Sequence, residues 1–377
     1  MVSLDLLDVT KAWSDATVSV SLHAEAGKIL AIAGPSGCGK STALRMAAGL
    51  LAPDSGRVLV GGRDVTGSEP RERGIGMVFQ DYALFPHLDV FGNVAYGLRF
   101  SRLGRPELAG RVARMLDAVG LAGFERRKPY ELSGGERQRV ALARTLAVEP
   151  AVILFDEPLS SLDAALRKKL RSDIVEEQSR LGFTAVYVTH DLEEAMAMGD
   201  ALAVMDAGRI VQCASPRELW ESPANVSVAR FMGSGPCLPA LGLERIAGKL
   251  VARTAAGSFV LPRETGSDVA GIEAATPAGP SHVFFGRSDA SRLGASAREN
   301  ARESARVRAG NDPVKRGERV GGIFDALCVR ADFAGDAVDC VMDSGGERFT
   351  LRFPANSAPV AGESASYAVP EDRIRLL

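Results

Sequence analysis

The sequence predicts an α/β fold on a mostly parallel sheet, with a helical subdomain inserted into it and a small all-β domain after it. Three observations predict this. Short, nearly continuous apolar runs alternate with helix-like segments up to about residue 235, as strands covered on both faces do. Between "GMVFQ" and "AVILF" the apolar spacing turns helical. After "ARFMGSGPCLPA" the runs become short and β-like, separated by Gly, Pro and Asp turns, which suits a small antiparallel barrel or sandwich.

In order, "KILAIAG" reads as a strand running into a Gly-rich turn and "KSTALRMAAGL" as the helix after it. "GIGMVFQ", "AVILFD", "TAVYVTH" and "ALAVMDAG" are further strands, each short and apolar. "RPELAGRVARMLDAVGLA" and "GERQRVALARTLAVE" carry apolar residues at helical spacing and form the inserted subdomain, about 86–150, of a first domain spanning 1–235. The second domain, 236–377, contains "KLVART", "GSFVLP", "SHVFFG", "GGIFDALCVRADF", "DAVDCVMD" and "ERFTLRFP" as strands. Within it, about 287–320 is polar and rich in Arg, Ser, Ala and Gly, the composition of a long loop.

Composition bounds the function. The 377 residues suffice for two domains. A net charge of -2 supplies no basic field for nucleic acid. The longest purely apolar stretches are strand-sized, well short of the roughly 18 residues of a membrane span. "MVSLDLLDVTKAW" has acids where a secretory signal has a basic region and a long apolar stretch. Five scattered cysteines without CxxC spacing suggest neither a disulfide frame nor a zinc site, which fits a reducing cytoplasm.

The chemistry begins at "GPSGCGKST", Gly34, Pro35, Ser36, Gly37, Cys38, Gly39, Lys40, Ser41 and Thr42. This is the phosphate-loop pattern in its required context, between a strand and a helix. Its glycines let backbone N–H groups turn inward around a phosphate, and the helix N-terminus adds partial positive charge. Lys40 would reach the β- and γ-phosphates of a nucleotide such as ATP, and the Ser41 hydroxyl would coordinate Mg²⁺. Cys38 reads as small packing within the loop. "VILFDEP" supplies the second half: Asp156 ends a strand where it can hold Mg²⁺, and Glu157 comes next, where it can polarise an attacking water.

These residues resemble the ATP-binding subunits of ABC transporters over about residues 3–235. "LSGGE", Leu132–Glu136, resembles the signature motif that other phosphate-loop enzymes lack. Gln80, ending "GMVFQ", resembles the Q-loop glutamine, "SSLD" the D-loop, His190 in "VYVTHD" the switch histidine, and Trp13 the adenine-stacking aromatic. The resemblance implies that Glu157, His190 and Gln80 are catalytic and that Ser41, Gln80 and Asp156 hold the metal. It also implies that Ser133, Gly134, Gly135 and Glu136 of one subunit face the γ-phosphate bound by another, in a homodimer with two composite sites. "GMVFQDYALFPHL" and "DEPLSSLDAALR" are similar to the importer ATPases of the maltose, ferric-iron and polyamine systems, whose C-terminal TOBE-type domain the tail resembles. Where that branch commonly reads "RPE", this chain has "FFGRSDA".

The implied function is ATP-driven dimer closure that energises import through membrane-spanning permease subunits. An extracytoplasmic substrate-binding protein takes part indirectly, and the chain lies on the cytoplasmic face of the membrane. Tyr82, Leu84, Phe85 and Pro86 are expected to expose an apolar edge to the permease. "FMGSGPCLPA" is similar to the iron-transport branch and "VTKAW" to the sugar branch, so ferric iron is the expected cargo, with sugar and polyamine as alternatives. The competing class is a soluble ABC ATPase of DNA repair or translation, which usually carries a coiled coil, a zinc insertion or two cassettes.

Overall fold

The computed structural model describes residues 1–79, 82–101, 103–160, 164–246, 249–261, 282–288, 290–292 and 320–377. They fall into two compact units, Met1–Leu219 and Trp220–Leu377. That division precedes the change of sequence texture at 235, and most of the expected polar loop at 287–320 lies outside the described residues.

The first unit holds two sheets. One is antiparallel, built from β1 (Leu4–Ala12), β2 (Thr17–Ala24), β4 (Ser55–Val60) and β5 (Arg63–Asp64) in the order β2-β1-β4-β5. The sequence pattern alone places this region within the parallel α/β alternation. Strand β2 instead buries every second residue, Val18, Val20, Leu22 and Ala24, as a strand with one wet face does. The other sheet runs β10-β9-β3-β8-β7-β6 and comprises β3 (Ile29–Ala33), β6 (Ile75–Val78), β7 (Val152–Asp156), β8 (Thr184–Thr189), β9 (Ala201–Asp206) and β10 (Arg209–Ala214). Only β10 is antiparallel in it. Strands β3, β7 and β8 are buried along their whole length, which accounts for their unbroken apolar sequences.

Helix α1 (Lys40–Ala48) comes after β3, and α2 (Val90–Ala95), α3 (Arg105–Ala118) and α4 (Gly134–Ala147) fall within the stretch expected to form the inserted helical subdomain. Val94, Val112, Leu116 and Val140 are fully buried in the cluster these helices share. α5 (Ala164–Leu181) and α6 (Leu192–Met198) come after β7 and β8.

The second unit contains α8 (Val226–Met232), and α7 (Pro216–Glu221) straddles the division. A small sheet joins β11 (Cys237–Pro239), β15 (His282–Phe284) and β21 (Arg375–Leu376). A larger antiparallel sheet runs through β12 (Gly242–Ile246), β13 (Lys249–Arg253), β14 (Gly257–Val260), β17 (Val320–Ala334), β18 (Ala337–Ser344) and β19 (Glu347–Pro354). β20 (Ser364–Pro370) pairs with β17 and with β16 (Ser291–Arg292). The core is aromatic: the Phe324 ring lies 5.8 Å from Phe285 and 5.6 Å from Tyr367.

One buried cation fixes the far end of α1. Arg73, 4% exposed, donates to Met46 O and Ala47 O at 2.9 Å and to Thr66 O at 2.7 Å. The first two carbonyls lie in the last turn of the helix, where Met46 O also accepts from Gly49 N at 3.2 Å, and the charge suits the helix dipole. Gly49 lies under the guanidinium, since a Cβ there would stand 2.4 Å from Arg73 Nε. Replacing Arg73 with Ala removes these charge-assisted bonds and leaves Met46 O only its bond from Gly49 N, and we expect the unfolding free energy from urea titration to fall by about 2–4 kcal/mol.

Candidate functional site

Strands β3, β8 and β7 are neighbours and parallel, with Ala33 opposite Thr189 and Asp156 opposite Val188. The segments leaving their C-terminal ends therefore emerge at one edge of the sheet, where ligands of open α/β folds bind. The phosphate-loop pattern leaves β3, Asp156 ends β7 with Glu157 next, and His190 leaves β8.

The loop's glycines answer to different constraints. A Cβ on Gly34 would lie 2.0 Å from Met205 O, so the close pass against β9 requires glycine. Gly37 and Gly39 have φ of 80° and 106°, the left-handed region that glycine enters without strain. Gly39 is also the N-cap of α1, a cap with no side-chain partner. Lys40 is 5% exposed and folds back on the loop, its Nζ donating to Gly34 O at 2.8 Å and Pro35 O at 2.9 Å. Its charge is thereby held among carbonyl dipoles that a phosphate would replace. Cys38 is buried beside it, and burial pushes its thiol pKa up although Lys40 opposes the shift.

Ser41 Oγ donates to Asp156 Oδ1 at 2.7 Å, joining the helix after β3 to the end of β7. Two hard oxygen donors this close fit Mg²⁺, which takes one or two protein ligands and fills its remaining positions with phosphate and water. Glu157 comes next with φ of 46°, a strained conformation for a non-glycine residue. Its N–H donates to Val188 O at 3.0 Å, and its Oε2 lies 2.8 Å from His190 Nδ1. An ionised Glu157 can only accept, so Nδ1–H donates to it. Trp13, 44% exposed, stands in the turn between β1 and β2.

Leu132–Glu136 forms a separate group at the start of α4. Ser133 is the N-cap: its Oγ accepts from Glu136 N at 3.3 Å, while Glu136 Oε2 accepts from Ser133 N at 2.7 Å and Ser133 Oγ at 2.8 Å. The Ser133 N–H, then its hydroxyl, hold the Glu136 carboxyl below its ordinary range. The reciprocal cap is thus present above the ordinary carboxylate range and lost as pH falls through the lowered value. Ser133 is exposed, which leaves it free to meet something outside its own chain.

Gln80 and Ser161–Asp163 lie outside the described residues, while Ser160 Oγ donates to Glu157 O at 3.0 Å. The apolar edge expected from Tyr82 to Pro86 needs correction. Of the four residues expected there, Tyr82 is buried, Leu84 and Phe85 are half-buried and Pro86 is exposed, and Arg144 holds the loop backbone by donating to Tyr82 O at 2.9 Å and Ala83 O at 2.7 Å.

Sequence reasoning misses the support behind His190. Glu194, 3% exposed, accepts from Tyr187 Oη at 2.6 Å and from Thr189 Oγ1, and Thr189 Oγ1 accepts from Asp191 N at 3.0 Å. Residues on both sides of His190 are therefore tied to one buried carboxylate. Burial, then the Glu194 charge, holds the Tyr187 phenol neutral far above its ordinary pKa. The available signal is Glu194 in the first turn of a short helix right after the strand, which reads equally well as a solvated N-terminal acid.

The loop geometry ranks two substitutions. Gly34→Ala should cost about 3 kcal/mol by overpacking against β9, whereas Gly37→Ala, whose Cβ meets nothing within 4 Å, should cost about 1–2 kcal/mol from its backbone alone. Denaturant titrations giving the opposite order would contradict this reading of the loop.

Comparison with known proteins bears on the family. The family described as ABC transporter matches residues 18–160. The chain is 54% identical over 220 residues to the Fe(3+) ions import ATP-binding protein FbpC of Agrobacterium fabrum, covering 58% of this chain and 62% of that protein. It therefore spans about three fifths of that relative's length. It is 48% identical over 259 residues to the spermidine/putrescine import ATP-binding protein PotA of Rubrobacter xylanophilus, covering 68% of each. A bacterial ABC transporter cassette solved as a dimer superposes with a TM-score of 0.52 at 31% identity, covering 57% of this chain and 99% of that one. With its phosphate loop, signature stretch and parallel-edge site in place, the chain belongs to the ABC transporter family.

Proposed function

We propose that this chain is an ATP-hydrolysing subunit that energises import through a membrane permease it does not itself contain. The observation that carries the reading is the convergence of Lys40, Ser41, Asp156, Glu157 and His190 on one parallel sheet edge. No helix among the described residues is long and apolar enough to cross a membrane. In this reading the translocation path belongs to a partner, and the chain docks at the cytoplasmic face, as the names of the import ATP-binding relatives suggest. Ferric iron is the proposed cargo, from the name of the relative at 54% identity.

In this reading Lys40 exchanges Gly34 O and Pro35 O for phosphate oxygens. Mg²⁺ held by Ser41 and Asp156 would offset charge on the β- and γ-phosphates. Glu157 accepts a proton from the water that attacks the γ-phosphorus, while the bond to the bridging oxygen breaks and ADP leaves with that electron pair. His190, fixed by its bond to Glu157 and by the Glu194 group behind it, orients the base. Trp13 offers an aromatic face to the adenine. Ser133 and the N–H groups of Gly134 and Gly135 complete the γ-phosphate shell of a second copy, so nucleotide closes the pair and phosphate loss reopens it. The closing motion passes to the permease near Gln80, Phe85 and Pro86, and an extracytoplasmic binding protein delivers the cargo. The tail acts as a TOBE-type domain.

Glu157→Gln should leave ATP affinity within about twofold while turnover falls about 10²–10⁴-fold, the usual worth of a positioned base. Equilibrium binding of a fluorescent ATP analogue and steady-state phosphate release measure the two. Hydrolysis at the wild-type rate removes Glu157 from the role.

A further inference from the structure

Four arginines, Arg287, Arg352, Arg373 and Arg375, converge on a cleft of about 580 Å³ in the second unit, with Trp220 and Glu221 at its wall. They come from distant parts of the chain: the segment after β15, strand β19, the turn before β21 and β21 itself. Arg287 is the best placed. Its N–H donates to Ser234 O at 2.9 Å, and its carbonyl accepts from Arg352 N at 3.0 Å, so its backbone is held on both sides. Its guanidinium carbon sits 5.3 Å from the centre of the Trp220 ring.

Two of these guanidinium groups share one carboxylate. Asp339 makes a two-point contact with Arg352, at 2.8 Å to Nε and 2.8 Å to Nη2, and lies 3.8 Å from Arg287 Nη1. Arg287 Nε is buried and has no hydrogen-bond partner among the described residues. Burial, the largest influence, lowers the pKa of Arg287; Asp339 opposes that, and Arg352 adds to it. One carboxylate thus faces two of the four guanidinium groups, and a buried donor without an acceptor is costly unless something outside the protein supplies an oxygen.

We propose that this cleft binds a small, multiply charged oxyanion, a phosphate- or carboxylate-bearing compound, gripped by Arg287 and Arg375 against Trp220. The guanidinium fork matches paired oxygens, and its planar face tolerates an aromatic wall. The volume suits a compact metabolite. The site is independent of the nucleotide edge and of the function proposed for it.

Calorimetric titration of the full chain at fixed ionic strength tests this, with citrate in one arm and inorganic phosphate in the other. The expected result is saturable binding of at least one anion, one per chain, with a dissociation constant below about 1 mM. Binding of citrate alone identifies a carboxylate source, and binding of phosphate identifies the other. Arg375→Gln should weaken binding about tenfold or more by removing a charge-assisted contact. The double variant Arg287→Lys with Arg375→Gln, which keeps the charge at 287 but loses the fork, should abolish it. Lys40→Ala, which disables the phosphate loop as an anion site, should retain one saturable site per chain, which separates this site from that loop. Circular dichroism verifies that each variant is folded. Absence of saturable binding by either anion, equal binding by the folded double variant, or loss of binding in Lys40→Ala overturns the proposal.

Discussion

The first unit depends on one constraint, the in-register parallel pairing of β3, β8 and β7. Parallel strands deliver their C-terminal ends to a common edge, so residues far apart in sequence, Ser41, Asp156 and His190, emerge side by side. The bond from Ser41 Oγ to Asp156 Oδ1 is the visible result. A slip of one residue would send Asp156 to the opposite face of the sheet and separate the two oxygens.

Around that edge the structure concentrates what a fold would otherwise avoid. Lys40 is a buried ammonium satisfied by two loop carbonyls, Glu157 holds a left-handed backbone, and Glu194 is a buried carboxylate. Each is compensated locally, which is how strain and charge persist at sites that do chemistry. The signature stretch behaves differently. Its cap is satisfied within four residues of its own helix, and Ser133 stays exposed although Leu132 beside it is buried in the core.

Much of this was legible because burial on both faces writes itself as an unbroken apolar run. "AVILF" and "TAVYV" could be placed as strands, and the loop "GPSGCGKST" could be placed between strand and helix. The antiparallel sheet was not, although "TVSVSLHA" alternates plainly, because the neighbouring β1 mixes apolar and polar residues around an irregular register at Leu6–Val9. The burial of Tyr82 was illegible for a different reason: its loop is tied to Arg144, a residue of α4 that no local pattern connects to that loop. The same holds for the arginine cleft, whose members share no motif and come together only in the folded unit.

The central proposal is that the nucleotide lies between the phosphate loop of one copy and the signature stretch of another. A structure of the wild-type chain with Mg²⁺ and a slowly hydrolysed ATP analogue tests it most directly. The account predicts Lys40 released from Gly34 O and Pro35 O onto the β- and γ-phosphates, with Ser133 of a second copy hydrogen-bonded to the same γ-phosphate. A bound analogue with every Ser133 still turned only toward its own Glu136, or with Lys40 unmoved from the loop carbonyls, would contradict it.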